Sequence, residues 1–337
     1  MSAAEDTAGT ADWFAGKLAV VTGGGSGMGR ELVRQLAGRG CSVAACDLDA
    51  DTMAETVRLA TDGAAGDVRV TGHVCDVAAE EKVLRFRDEV LEQHIFEQPR
   101  RGLDLVFSNA GLSGGGSFVL DTRAEWDRAF ASNWNGVYYC ARAFLPMLAS
   151  SGDGVMVNTS SMNGFWATVG AGRPASANST ADFAIKGFTE SLIEDLRTNL
   201  PQVRAAVVLP GWVGTNFAAN TFRVLGLPPP EQMTDAQIAE VSAKLHDRFV
   251  KFGLNFDGQP PQAMRSFLAA IAAGTRDNAP LSAADAVGTI LDGVRSGTWR
   301  ILVGEDTKAI DERVRANPDA AYDYAQLFDG LDKPPWQ

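Results

Sequence analysis

The stretch VVTGGGSGMGR, Val20 to Arg30, decides the fold. Its apolar start continues a β-rich run from Leu18, and its end opens an amphipathic pattern in which Leu32, Val33 and Leu36 share one helical face. Glycines between a strand and a helix give a tight turn, close backbone approach to a pyrophosphate and close packing of helix on sheet. The helix N-terminus then faces the phosphates. Gly23, Gly25, Ser26, Gly27 and Met28 are therefore candidate cofactor-binding residues. A Gly-rich turn alone is weak evidence. Here Asp47 ends the next β-rich run about twenty residues on, where an acid accepts hydrogen bonds from the adenine ribose hydroxyls. A 2'-phosphate would meet that acid with like charge, and the nearest arginine, Arg30, lies a turn into the helix, so NAD is the expected cofactor.

Outward from this turn, short β-rich runs alternate with amphipathic helical patterns: SVAACD from Ser42, VRVTGHV from Val68, LDLVFSNAG from Leu103, GVMVNTSS from Gly154, VRAAVVLPG from Val203 and RILVG from Arg300. Runs apolar on both faces and separated by helices imply a parallel sheet covered on both sides, a doubly wound Rossmann-like α/β fold with its ligands beyond the carboxyl ends of the strands. The alternation breaks over 216–280, where helical patterns lie among PPP and GQPP turns. An insertion at that place is expected to cover the ligand crevice as a substrate lid. Residues 16–304 read as one domain carrying this insertion, 1–15 as a loose acidic tail, and 305–337 as an extension that packs on its own domain or on a second subunit.

Composition narrows the partners. The 337 residues carry a net charge of -12 with a pI near 4.8, which argues against nucleic acid and against an anionic membrane surface. No apolar run has the length to span a bilayer. Four cysteines without a CxxC pair and three scattered histidines give no zinc site, and no metal is expected. Reduced thiols fit a cytoplasmic location.

The spacing from Thr22 and Gly23 through Gly27 to Gly29 resembles the TGxxxGxG signature of the short-chain dehydrogenase/reductase family, and the resemblance continues along most of the chain. Cys75-Asp76-Val77 is similar to the family's adenine-contacting segment. Ser108-Asn109-Ala110-Gly111 is similar to its NNAG motif, with Ser in the first Asn position. Asn133-Trp134-Asn135-Gly136 looks like the segment of the active-site Asn, and Asn158 to Ser161 like the strand ending in the active-site Ser. Pro210-Gly211-Trp212-Val213-Gly214-Thr215 matches the PGxVxT loop that holds the nicotinamide carboxamide. The resemblance implies cofactor contacts at Asp76, Val77, Asn109, Gly111, Pro210, Gly211, Val213 and Thr215. It also implies an NAD-dependent oxidoreductase acting on an alcohol or ketone, and a homodimer or homotetramer.

The family's proton donor is a Tyr, and a Lys four residues later binds the nicotinamide ribose and lowers the phenol pKa. The segment after that Lys commonly reads FAVKGF, and here FAIKGF begins at Phe183. This register places Asn178 at the Tyr position and Asp182 at the Lys position. The rival register, with Asp182 as Tyr and Lys186 as Lys, shifts the apolar helix by a turn and lengthens the gap from Ser161. With Asn133 and Ser161, Asn178 and Asp182 complete the candidate catalytic set. An amide does not titrate near neutral pH, and an anion in place of a cation would raise a neighbouring phenol's pKa, so redox activity is expected to be impaired. A non-catalytic NAD-binding module and a lyase, hydratase or isomerase on the same scaffold are the alternatives. Ser179-x-x-Asp182 also fits a capping box at a helix start, with Lys186 as a charge partner one turn on. Phe217, Phe222, Leu225, Leu227 and Trp212 point to an apolar substrate.

Overall fold

The computed structural model describes residues 12–97, 102–114, 116–170, 172–224, 227–251 and 254–330. Its centre is a parallel sheet of seven strands: β1 (Leu18–Thr22), β2 (Ser42–Asp47), β3 (Val70–Val74), β4 (Leu105–Ser108), β5 (Gly154–Thr159), β6 (Val203–Pro210) and β9 (Arg300–Val303). They lie in the order β3-β2-β1-β4-β5-β6-β9, the doubly wound sheet expected from the alternation of strand and helix patterns. The order reverses between β1 and β4, so a crevice opens there beyond the carboxyl ends.

Alternate residues of β1, β2, β4, β5 and β6 feed two cores. On one face Ala19, Val21, Val43 and Leu105 pack on Leu32, Val33 and Leu36 of α1 (Gly27–Gly38), on Met53 of α2 (Ala50–Asp62), and on Ile290 and Val294 of α10 (Ala283–Ser296). On the other, Leu18, Val20 and Met156 pack on Val83 and Phe86 of α3 (Glu80–Val90), on Phe144 and Leu148 of α5 (Gly136–Ser151), and on Leu196 of α6 (Ser176–Asn199). Between α3 and β4 the chain passes outside the described residues. Helix α4 (Arg123–Phe130) joins α5 through one π-helical turn, Ala131–Asn135.

The insertion hangs from a stem in which β7 (Val213–Gly214) pairs with β8 (Leu281–Ser282). Beyond the stem, α7 (Phe217–Val224), α8 (Asp235–Lys251) and α9 (Pro261–Asp277) gather Met233, Ile238, Met264 and Leu268 into a core of their own. The extension supplies α11 (Glu305–Ala316) and α12 (Tyr324–Leu327), and it packs on its own domain. Ile310, Ala321 and Leu327 form a cluster with Met162 and Trp166, and the Trp166 indole donates to the Ala321 carbonyl at 2.8 Å. Of the expected tail, residues 1–11 lie outside the described residues. Its far end is not loose: Phe14 is fully buried in the first core. No helix among the described residues is long and apolar enough to cross a membrane.

Candidate active site

The strand ends converge. Thr22 closes β1, and its hydroxyl accepts from the backbone N–H groups of Asn109 and Ala110, each at 3.0 Å. Asn109 returns its amide to the Thr22 carbonyl at 3.2 Å, which leaves its Oδ1 buried and without a hydrogen-bond partner among the described residues. At Gly23 φ is +69°, and a Cβ would stand 2.8 Å from the Ala110 Cα, so only glycine permits this approach of the β1 turn to the β4 turn. Gly111 in turn lies against Asn133, where a Cβ would meet Oδ1 at 3.1 Å.

The Asp47 carboxylate sits across the turn. Its Oδ2 accepts from the Gly25 N–H at 2.9 Å, and the Cys75 N–H donates to the Asp47 carbonyl at 2.9 Å, which places Asp76 beside it. Asp76 Oδ1 accepts from the Ala78 N–H at 3.1 Å, while Val77 is buried against Gly136. The Met28 side chain is partly buried against the first core. Arg30 is occupied: its guanidinium donates to the Gly25 carbonyl at 2.7 Å and to the Thr56 hydroxyl at 3.0 Å.

Helix α1 starts without a cap. Ser26 occupies the N-cap position but makes no capping bond, and the first turn holds no acid. Its hydroxyl instead accepts from the Asn220 amide of α7 at 2.7 Å. First-turn N–H groups with neither cap nor acid, at the positive end of the helix dipole, suit an anion such as a pyrophosphate. Together with the partnerless Asn109 Oδ1, they fit a dinucleotide between the β1 turn and β4. Across the turn, the side chain of Thr215 faces Gly27, where a Cβ would stand 3.1 Å away. That contact brings the Pro210–Thr215 loop to the glycines.

At the other end of the crevice, Ser161 follows β5 and its Oγ accepts from the Asn163 N–H at 3.2 Å, leaving its own proton free to donate. The neighbouring Ser160 hydroxyl donates to the Asp182 carbonyl at 2.9 Å and so fastens the Ser161 turn to α6. Asn133, in the π-helical turn, holds the backbone of Leu112 at both groups: Oδ1 accepts from the N–H at 2.9 Å and Nδ2 donates to the carbonyl at 3.2 Å. Asn178 Nδ2 donates to the same carbonyl at 2.8 Å, and its Oδ1 accepts from the Gly114 N–H at 3.2 Å. Ser161, Asn178 and Asp182 are thus gathered around two loops, after β4 and after β5.

Three expectations about this helix change. No capping box forms, because α6 starts at Ser176 behind Ala175; Ser179 lies inside the helix with its hydroxyl buried and lacking a partner among the described residues. Lys186 does not pair with Asp182, since it reaches forward to Glu190 at 3.0 Å. Nor is Asp182 an ordinary anion. It is 7% exposed, and burial pushes its pKa up to about 8, so the neutral carboxylic acid dominates at pH 7.

The apolar set expected around the substrate also divides. Phe222 and Leu227 pack into the insertion's own core, and Trp212 packs with Phe328 of the extension. Leu225 lies outside the described residues. Phe217 keeps an exposed ring. The insertion reaches both walls of the crevice, through Asn220 on Ser26 and through an ion pair of Lys244 with Glu125 of α4. Thr22 and the Leu112 backbone, which carry much of this framework, had only their places beside Gly23 and Gly111 as a signal. Among the described residues no group of His, Cys, Asp and Glu could hold a metal ion.

A doubly wound sheet with an uncapped, glycine-lined helix start at its reversal point defines a protein of the dinucleotide-binding class. The chain belongs to the short chain dehydrogenase family, whose model matches residues 17–224. It is 32% identical over 302 residues to SadH of Mycobacterium tuberculosis, a match covering 90% of this chain and 91% of SadH. It is also 32% identical over 237 residues to a (3R)-3-hydroxyacyl-CoA dehydrogenase of Canis lupus familiaris, covering 65% and 86% of the two chains. A short chain dehydrogenase/reductase from Burkholderia phymatum, solved in complex with NAD, shares the fold with a TM-score of 0.68 at 24% identity, covering 91% of this chain and 94% of that one. The chain is therefore of an oxidoreductase kind, built on the Rossmann-like fold of that family.

Proposed function

We propose that this chain is an NAD-dependent oxidoreductase that acts on an apolar alcohol or ketone and works with a weakened proton-transfer set. The observation that carries the reading is the uncapped start of α1 facing a turn that Asp47 holds through Gly25. Gly23, Gly25, Ser26 and Gly27 would hold the pyrophosphate, Asp47 the adenine ribose, and Asp76 and Val77 the adenine side. Asn109 and Gly111 would line the middle, and Pro210, Gly211, Val213 and Thr215 the nicotinamide end. A bound nicotinamide supplies the hydride acceptor or donor. Selection of NAD over NADP rests on Asp47 at the ribose and on Arg30, whose guanidinium is spent on Gly25 and Thr56 and does not offer itself to a 2'-phosphate.

Ser161, whose hydroxyl proton is left to donate, would hydrogen-bond a substrate oxygen. Asn178, at the family's Tyr position, has no proton to exchange near neutral pH and spends its amide on Leu112 and Gly114. Loss of such acid-base help costs ~10²–10⁴ in rate. Asp182, at the Lys position, brings a neutral carboxyl where the family has a cation, so it can donate a hydrogen bond but cannot lower a phenol pKa electrostatically. The apolar character of the substrate rests on Phe217 and on the helical insertion as a lid.

Calorimetric titration with NAD and NADP, followed by absorbance assays over a panel of secondary alcohols and ketones, tests the reading. Tighter NAD binding with slow turnover is the expected result. Equal or tighter NADP binding sinks the role of Asp47. NAD binding with no turnover on any substrate points to the second reading, a binding module, which the engagement of the Asn178 amide by backbone favours.

A further inference from the structure

The extension that follows the last strand does more than cover the sheet. After β6 ends at Pro210, the chain leaves the sheet, and the Gly211 N–H makes the last ladder bond, to the Val303 carbonyl at 2.9 Å. The next N–H, that of Trp212, has no strand to meet. It donates to Oδ2 of Asp306 at 2.9 Å. Asp306 stands in the first turn of α11, where the helix dipole favours a carboxylate. Its approach depends on two glycines: a Cβ at Gly211 would overlap the Asp306 carboxylate and the Thr307 hydroxyl, and Gly304, at φ +104°, turns the chain so that Asp306 folds back over it. The other carboxylate oxygen is buried and has no hydrogen-bond partner among the described residues. The acid is thus kept half-buried at a desolvation cost, which the backbone N–H groups of Trp212, Thr307 and Asp306 itself partly offset.

The Trp212 N–H belongs to the loop that leads through Val213, the stem of the insertion, to Thr215 against Gly27. We infer that Asp306 is a positioning residue for the nicotinamide end of the cofactor site, acting through Gly211 and Trp212 without touching the cofactor. The inference rests on the NAD reading given above. It separates the two halves of the cofactor by what holds them. The adenosine and pyrophosphate side is fixed by β1, β2 and α1, which Asp306 does not touch. Among the expected cofactor segments, the Pro210–Thr215 loop is the one that Asp306 holds.

NADH and ADP-ribose, which lacks the nicotinamide, separate the two halves in one calorimetric experiment on the full chain. Asp306→Ala is expected to weaken NADH about tenfold, the scale of one lost hydrogen bond to a charged acceptor, while ADP-ribose changes less than about twofold. Asp306→Asn keeps an acceptor oxygen and should hold NADH within about threefold of the parent. Asp306→Ser, which keeps a polar side chain in the first turn of α11 but removes the carboxylate, should reproduce the selective loss and serves as the readout if Asp306→Ala does not fold. Equal weakening of both ligands, or of neither, overturns the positioning role and leaves Asp306 a purely structural cap. If the unaltered chain binds neither NADH nor ADP-ribose, the NAD reading itself falls, and the inference with it.

Discussion

Asn133 and Asn178 share one acceptor: both donate their side-chain amides to the carbonyl oxygen of Leu112, at 3.2 and 2.8 Å. The loop after β4 is thereby clipped to the π-helical turn and to α6 at once, and Asn178 adds a bond from the Gly114 N–H. Asn178→Ala removes two of these bonds. It should lower stability by about 1–2 kcal/mol. Hydrogen exchange at the Gly114 amide should speed up more than exchange in β1 or β5, which lie in the sheet. Unchanged exchange at Gly114 would mean that Asn133 alone holds the loop.

Asp182 makes stability depend on pH. In the unfolded chain its carboxyl titrates near 4, whereas burial pushes it up to about 8 in the fold. Between these values the unfolded chain binds fewer protons than the folded one, so this residue's contribution falls as pH rises from about 4 to about 8. Below that window both states are protonated and the cost is absent. Asp182→Asn keeps the shape and cannot ionise. The variant should match the parent in urea unfolding near pH 4 and exceed it by about 5 kcal/mol near pH 8. Parallel curves for the two proteins across this range would show that Asp182 is ionised in the fold.

Among the described residues the insertion reaches the crevice through Asn220 on Ser26 and Lys244 on Glu125, and it gathers a core of its own around Met233, Ile238 and Met264. A segment held by few contacts to the body opens more readily than the sheet. Limited proteolysis of the free protein should therefore cut first within 216–280, and NAD with a substrate analogue should slow that cut. A cleavage rate that ligands leave unchanged removes the lid role. Asn220→Ala, which frees α7 from the glycine turn, should speed cleavage without ligand.

The inner strands were legible because each carries a run of residues apolar on both faces, a signal internal to the segment, and the glycine turn because its chemistry is local. What escaped depends on tertiary choice. The start of α6 lies four residues earlier than the capping-box pattern suggests, with Ala175 and not Ser179 at the N-cap, because nothing in Ser179-x-x-Asp182 tells a cap from an interior turn. Lys186 had acids four residues away on either side, Asp182 and Glu190, and burial of the first decided for the second. Trp212 and Phe222 are apolar in any arrangement; only packing turned them to Phe328 and to the insertion's core. Asp306 is far in sequence from the loop it serves, and no spacing rule connects them.

The positions of Asn178 and Asp182 lend themselves to a reconstruction. If they stand where the family's Tyr and Lys belong, Asn178→Tyr with Asp182→Lys should create or greatly increase NAD-dependent oxidation of apolar secondary alcohols. Neither change alone should suffice. A Tyr beside the buried Asp182 carboxyl gains no cation to lower its pKa, and a Lys beside Asn178 has no phenol to activate. The gain of the double variant should exceed the product of the singles. Asn178→Tyr also gives up the bonds to Leu112 and Gly114, so each variant is first checked for fold and NAD binding. The control is Asp182→Tyr with Lys186 untouched, the active pair of the rival register. Lys186 is engaged with Glu190 in the fold, so this control is expected to stay inactive. Turnover in the control and none in the double variant would reverse the register. Turnover in neither, with cofactor bound and the fold intact, would set the redox reading aside in favour of a binding module or a non-redox enzyme.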